Sequence, residues 1–263
     1  MTGQIIGLQE WFQTPAGRYL SAWEEAQFDE AVADIFGYHA LQLGLPDMPA
    51  LRANRMPHRW LAAPEAGCPR STLVCDFAAL PFSANSLDLM ALPHSLELSP
   101  DPHATLREVE RVLVPEGRVA ICGLNPASLW GLRQRRAHLY RRLGFGEPYL
   151  PTEGEFIGYW RLRDWLRLLG FEVESSRFGL YRPATHSQAW LDRWRWFDRL
   201  GERWWPIFGA VYFIVAVKRV RGMRLLPADW RRRNPIATAP VPLAGRMHRG
   251  LVPIEEEKKR SKH

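Results

Sequence analysis

His94 and Glu97 are the residues of this 263-residue chain whose types and spacing point most directly to proton chemistry. They stand in Ala91-Leu92-Pro93-His94-Ser95-Leu96-Glu97, just after an apolar run over residues 87–92. A histidine at the carboxyl end of a buried strand lies where ligands of open parallel sheets lie. Its ordinary pKa is near neutrality, so it could take a proton from a hydroxyl acceptor. The plainer alternative is a histidine that hydrogen-bonds a helix start. Glu97 would stand behind it. Asn125-Pro126 closes a later apolar run, 119–122, and is placed to line an acceptor pocket. Gly44 ends the run Ala40-Leu41-Gln42-Leu43, and a glycine after a strand lets backbone come close to a nucleotide-type ligand. Asp76 comes after Leu73-Val74-Cys75, where an Asp with no other task caps a loop.

The elements that must hold these residues are written in the same stretch. Residues 73–126 give a strand, a loop, a strand, a helix, a turn and a strand, which is two consecutive strand–crossover–strand units of a parallel sheet. The helix predicted over 102–113 carries Leu106, Val109, Val112 and Leu113 on one stripe and Arg107, Glu108, Glu110 and Arg111 on the other face, as a sheet-covering helix should. Pro115-Glu116-Gly117 turns into the next strand. Upstream, Thr14-Pro15-Ala16-Gly17 reads as a turn. A helix is expected over 21–36, with Phe28, Val32, Ile35 and Phe36 opposite Glu24, Glu25 and Asp29. Short strands are expected at 40–43 and 60–63. Downstream, residues 127–160 read as an insertion rich in Arg, Gly and aromatics. A helix over 160–169 ends at Gly170, which suits a left-handed helix terminus, and a strand comes next at 171–174. A Trp-rich amphipathic helix over 188–203 is expected to pack Trp190, Trp194 and Phe197 on the sheet. Residues 210–217 are strongly β-prone.

Several of these segments resemble the type 11 family of class I S-adenosylmethionine-dependent methyltransferases. Cys75-Asp76-Phe77-Ala78-Ala79-Leu80-Pro81-Phe82 is similar to the family's Asp-x-x-x-Leu-Pro-Phe segment, and Leu106 to Gly117 to its helix and turn. The resemblance implies an α/β, Rossmann-like fold: a seven-stranded, mostly parallel sheet flanked by helices, with the last strand antiparallel. It implies S-adenosyl-L-methionine as cofactor, with Asp76 accepting a hydrogen bond from the adenine amino group and Phe77 donating its backbone amide to the ring. Gly44 aligns with the first glycine of the family's glycine loop, and Gln42 with the acidic residue before it. Leu45 and Pro46 stand in the remainder of that loop, so the second and third glycines are absent. Of the family's His-x-Leu-x-His-like segment the chain has His94, with Glu97 beside it, and lacks the second histidine.

Composition frames the function. A hydrophobic content of 46% suffices for one large α/β core. That core is expected over 21–220, with 127–205 holding the insertion and the Trp-rich helix, 1–20 an N-terminal segment and 221–263 a basic disordered tail. The longest apolar run, 204–217, is shorter than the ~20 residues a bilayer span needs. The start MTGQIIGLQEWFQT carries no basic-then-apolar leader pattern. Cys68, Cys75 and Cys122 are odd in number and two lie in apolar strands, which predicts free thiols in a reducing cytoplasm. No Cys/His cluster in sequence suggests a metal, so none is expected. The net charge of +7 is clustered, which allows nucleic acid or anionic lipid as a partner, although a solvated helix face and a soluble tail are the favoured explanation of basic runs. The resulting expectation is methyl transfer to a small or lipid-like acceptor, with peripheral membrane contact open. The alternative is the same fold with weakened or lost cofactor binding, working as an interaction or regulatory module.

Overall fold

The computed structural model describes residues 11–141, 150, 155–185 and 187–219. The expected tail 221–263 and the first half of the N-terminal segment lie outside them. In chain order the elements are α1 (Pro15–Ala33), β1 (His39–Leu43), β2 (His58–Ala63), β3 (Leu73–Val74), β4 (Leu87–Pro93), the short α2 (Ser95–Leu98), α3 (Pro102–Val112), β5 (Leu113–Leu124), α4 (Leu129–Arg141), α5 (Tyr159–Leu168), β6 (Phe171–Gly179), α6 (Gln188–Arg193), α7 (Arg195–Trp204) and β7 (Val211–Lys218).

The strands form one seven-stranded sheet in the order β3-β2-β1-β4-β5-β7-β6. The pairs among β1 to β5 are parallel, and β7 runs antiparallel to both β5 and β6. The mostly parallel sheet with an antiparallel last strand is the expected fold. Its central strands are apolar on both faces, as strands covered by helices on both sides must be. Ala40, Leu89, Ala91, Ala120 and Phe213 pack in the layer under α1, with Leu20, Phe28 and Val32. Leu41, Leu43, Leu92, Ile121 and Ile214 face the other layer, against Leu106 and Val109 of α3 and Leu162 and Leu166 of α5.

Three expectations need correction. Thr14 to Gly17 is a helix start: Thr14 is the N-cap, its hydroxyl accepts from Gly17 N at 3.1 Å, and Pro15 fills the first turn, where its missing N–H costs nothing. The helix also ends earlier than expected, at Ala33 with Asp34 as C-cap, and Phe36 is left exposed. The Trp-rich helix is two helices broken at Trp194. Its aromatics do not pack on the sheet. Trp190 is more than half exposed, and Trp194 and Phe197 are half-buried, Phe197 packing edge-on against Trp194 and Trp196, because Leu191 and Gly201 supply the inner face instead. Residues 171–174 are only the first part of β6, which continues along β7 to Gly179.

Candidate active site

The carboxyl ends of β1, β4 and β5 and the loop after β3 meet at one edge of the sheet. At the end of β1, Gly44 (φ +67°) and Leu45 (φ +41°) both take left-handed backbone, which turns the chain sharply off the sheet. Gly44 N still donates to Ala62 O at 2.8 Å, and the Ser95 hydroxyl donates to Leu43 O. A methyl group placed on Gly44 would meet the Phe77 ring at 3.7 Å, so the loop after β3 lies directly over the glycine. Phe77 itself is buried among Leu41, Leu43 and Leu96. Asp76 is exposed, and its Oδ1 accepts from Ala78 N at 2.9 Å, which shapes the loop and leaves the carboxylate at the surface.

Gln42 is buried and its carboxamide is used within the chain. Its Nε2 donates toward the carbonyls of Gly44, Leu45 and Met48 at 3.1, 3.0 and 2.7 Å, and its Oε1 accepts from Ala50 N at 3.1 Å. It holds the loop 44–50 closed rather than presenting a polar group to a ligand. A glutamate there could not donate to three carbonyls, so the amide fits the loop that replaces the missing glycines. The cavity beside this loop, lined by Phe12, Ser21, Glu25, Leu45, Asp47 and Met48, measures about 50 Å³.

His94 sits at φ +51° at the head of α2, with its backbone N on Cys122 O at 3.0 Å. It is 2% exposed. Its Nδ1 lies 2.7 Å from Glu97 Oε2 and its Nε2 lies 2.7 Å from Glu24 Oε1, so both ring nitrogens are engaged. Glu97 Oε1 accepts from Leu124 N at 2.6 Å, and the Cys122 thiol donates to Glu24 Oε1 at 3.0 Å. The network joins α1, the end of β4, α2 and the end of β5. Burial opposes a charge on His94, but the carboxylates of Glu24 and Glu97 outweigh it and push its pKa up to about 10. Burial raises the Glu97 pKa as well, more than the imidazole lowers it. The two directions agree, because two buried carboxylates around one imidazolium leave excess negative charge that holds protons more tightly. The Cys122 thiol is pushed well up by burial and then by Glu24.

Reading the sequence did not single out Glu24, which it assigned to the solvent face. The signal was present: Leu20, Glu24, Phe28 and Val32 are spaced by four, so Glu24 lies in phase with the buried stripe. Its Oε2 is buried without a hydrogen-bond partner among the described residues. Glu24, His94 and Cys122 each place one potential ligand atom within 4.8 Å of the others. However, two atoms on one tetrahedral zinc stand about 3.3 Å apart, whereas 2.7 Å is a shared-proton distance, so the arrangement reads as a hydrogen-bond network.

Asn125 is also used internally. Its Nδ2 donates to Ile207 O at 2.7 Å and Gly209 O at 2.9 Å, fastening the segment before β7 to the end of β5. Above His94 lies Phe12, with ring centroids 6.0 Å apart, while Trp11 packs edge-on against the buried Trp130. The N-terminal aromatics thus cover this edge of the sheet.

Comparison with known proteins gives consistent findings. A sequence profile of the type 11 methyltransferase domain matches residues 55–121. The chain is 31% identical over 233 residues to the uncharacterized protein YafS of Escherichia coli (strain K12), covering 88% of this chain and 89% of that protein. It is 30% identical over 159 residues to the malonyl-[acyl-carrier protein] O-methyltransferase of Gallionella capsiferriformans (strain ES-2), covering 53% of this chain and 55% of that enzyme. In fold it is similar to the solved S-adenosylmethionine-dependent methyltransferase of Archaeoglobus fulgidus, with a TM-score of 0.53 and 15% identity over 75% of this chain and 94% of that one.

Proposed function

Since the chain belongs to the type 11 family of class I methyltransferases, we propose that it transfers a methyl group from S-adenosylmethionine to a small or lipid-like acceptor. The observation that carries this reading is the convergence of Gly44, the Asp76–Phe77 loop and the ends of β4 and β5 at the carboxyl edge of a parallel sheet. Asp76, exposed at the loop after β3, is free to meet the adenine amino group, and the Phe77 amide is its neighbour in that role. Gly44 lets backbone approach the methionine half. Catalysis would rest on positioning the sulfonium in line with the acceptor atom.

His94 bears on the acceptor. Both of its ring nitrogens are engaged with carboxylates and its pKa is high, so it is poorly suited to take a proton. An acceptor that is already anionic, such as a carboxylate, needs no base. The likeness to a malonyl-[acyl-carrier protein] O-methyltransferase, whose named reaction is O-methylation, supports that class. His94 and Glu97 then act as positioning residues that fix the ends of β4 and β5.

A second reading has its own observation. Gln42 clamps loop 44–50, and the cavity of about 50 Å³ beside it is well below the roughly 300 Å³ at which ligand pockets begin. Cofactor entry requires Phe12 or that loop to move, and a chain in which neither moves would be an interaction module. Calorimetric titration with S-adenosylmethionine and S-adenosylhomocysteine separates the two. Micromolar binding that Asp76→Ala abolishes supports the enzyme. Absence of heat with folded protein at millimolar ligand sinks it.

A further inference from the structure

The segment between β6 and β7 carries a large exposed aromatic surface. Trp190 of α6, Trp196 and Trp204 of α7, and Trp205, Ile207 and Phe208 just beyond it are 44% to 64% exposed. Scattered single apolar residues are normal on a protein surface, but six large ones exposed within one stretch of 19 residues mark a surface with a use. The exposure is built in, because the inner side of α7 is tightly fixed. Asp198 takes the Tyr19 hydroxyl at 2.5 Å, Tyr181 N at 3.2 Å and Arg182 Nε at 2.8 Å. A Cβ on Gly201 would fall 2.2 Å from the Tyr181 ring, so α7 presses directly on that residue. With Asp198 and Gly201 committed inward, Trp196 and Trp204 of the same helix are held to its outer side.

Charge completes the pattern. Arg193, Arg195, Arg199 and Arg203 are exposed among these aromatics, and Arg193 lies over the Trp190 ring at 5.9 Å. Only Asp192 and Glu202 oppose them on the exposed side of α6 and α7. The start of α4 adjoins, because Trp130 Nε1 donates to Arg182 O and Arg133 reaches Ala184 O. It adds exposed Leu129, Leu132, Arg135 and Arg136. Among the described residues no helix is long and apolar enough to cross a membrane. Indole rings interleaved with guanidinium groups match the boundary between acyl chains and anionic headgroups.

We propose that the outer side of α6, α7 and the turn Pro206–Phe208 docks on the surface of an anionic lipid bilayer. Asn125 ties this turn to the end of β5, so the docked face borders the sheet edge that holds the candidate active site. If the methyl-transfer reading holds, docking places the site mouth at the membrane, where an acceptor with an apolar chain resides. The docking itself does not depend on that reading.

The test uses the full-length protein and needs neither cofactor nor acceptor. Flotation is measured with vesicles of phosphatidylcholine alone and with phosphatidylglycerol added, for the wild type and for the triple variant Trp196→Ala/Trp204→Ala/Trp205→Ala. The wild type should float with the anionic vesicles and lose binding at least roughly tenfold in the variant. Because the tail is unaltered in both proteins, the difference reports this face. If that variant fails to fold, the double variant Trp196→Gln/Trp204→Gln, altered only at exposed positions of α7, answers the same question. A wild type that ignores anionic vesicles, or a folded variant that binds as the wild type does, overturns the proposal. So does self-association of the wild type that the variant loses without any vesicle binding, which would assign the face to a second copy.

Discussion

Nε2 of His94 and Oε1 of Glu24 meet 2.7 Å apart across 70 residues of sequence, pinning α1 to the end of β4. Removing one partner leaves the other charged or polar group buried and unmatched. Glu24→Ala should therefore cost about 3–5 kcal/mol of unfolding free energy in urea titrations. Glu24→Gln, which keeps the shape and one acceptor, should cost clearly less. Equal losses in the two variants would show that the charge contributes nothing.

The same pair sets a pH dependence. The folded-state pKa of His94, about 10, lies above its ordinary 6.5, so its contribution is complete below pH 6.5 and is lost as pH rises through about 10. The raised Glu97 pKa acts with the same sign. Thermal midpoints should fall between pH 6.5 and 10, with a slope of at most about 1.4 kcal/mol per pH unit from His94. In His94→Asn the decline over that window should flatten. A wild-type midpoint independent of pH there would refute the assignment.

Gln42 offers a sharp discrimination. If the carboxamide braces loop 44–50, Gln42→Glu places a carboxylate against the carbonyls of Gly44, Leu45 and Met48 and should lower stability by about 2–4 kcal/mol. If the position instead serves the cofactor's ammonium, the same change should tighten S-adenosylmethionine binding. Calorimetry and denaturation on one variant read both quantities, and tighter binding without destabilisation would reject the brace.

The thiols should react in a fixed order. Cys68 and Cys75 are half-buried, and burial, then the Asp76 charge, raises the Cys75 pKa. Cys122 is buried and donates to Glu24. An aromatic disulfide reagent at pH 8 should label Cys68 first, Cys75 more slowly, and Cys122 only after denaturant is added. Rapid labelling of Cys122 in the native protein would mean that the network opens readily.

Much of this molecule is determined by local sequence. The apolar runs at 40–43, 87–92 and 119–122 could only be buried strands, and the amphipathic helix between the last two made them parallel neighbours. Asp76 and Gly44 could be placed at strand ends because strand termini lie where apolar periodicity stops. Tertiary structure alone decided what the polar residues at those ends do. Gln42 and Asn125 look like ligand-facing amides in sequence, yet each is used to fasten a loop whose carbonyls come near only after folding. The spacing of Leu20, Glu24, Phe28 and Val32 marks Glu24 as buried, but its pairing with His94 came from a helix 70 residues upstream packing across β4 and β5, a long-range event. The exposure of Trp196 and Trp204 was likewise decided by Asp198 and Gly201, whose inward contacts with Tyr19, Tyr181 and Arg182 fix which side of α7 meets water.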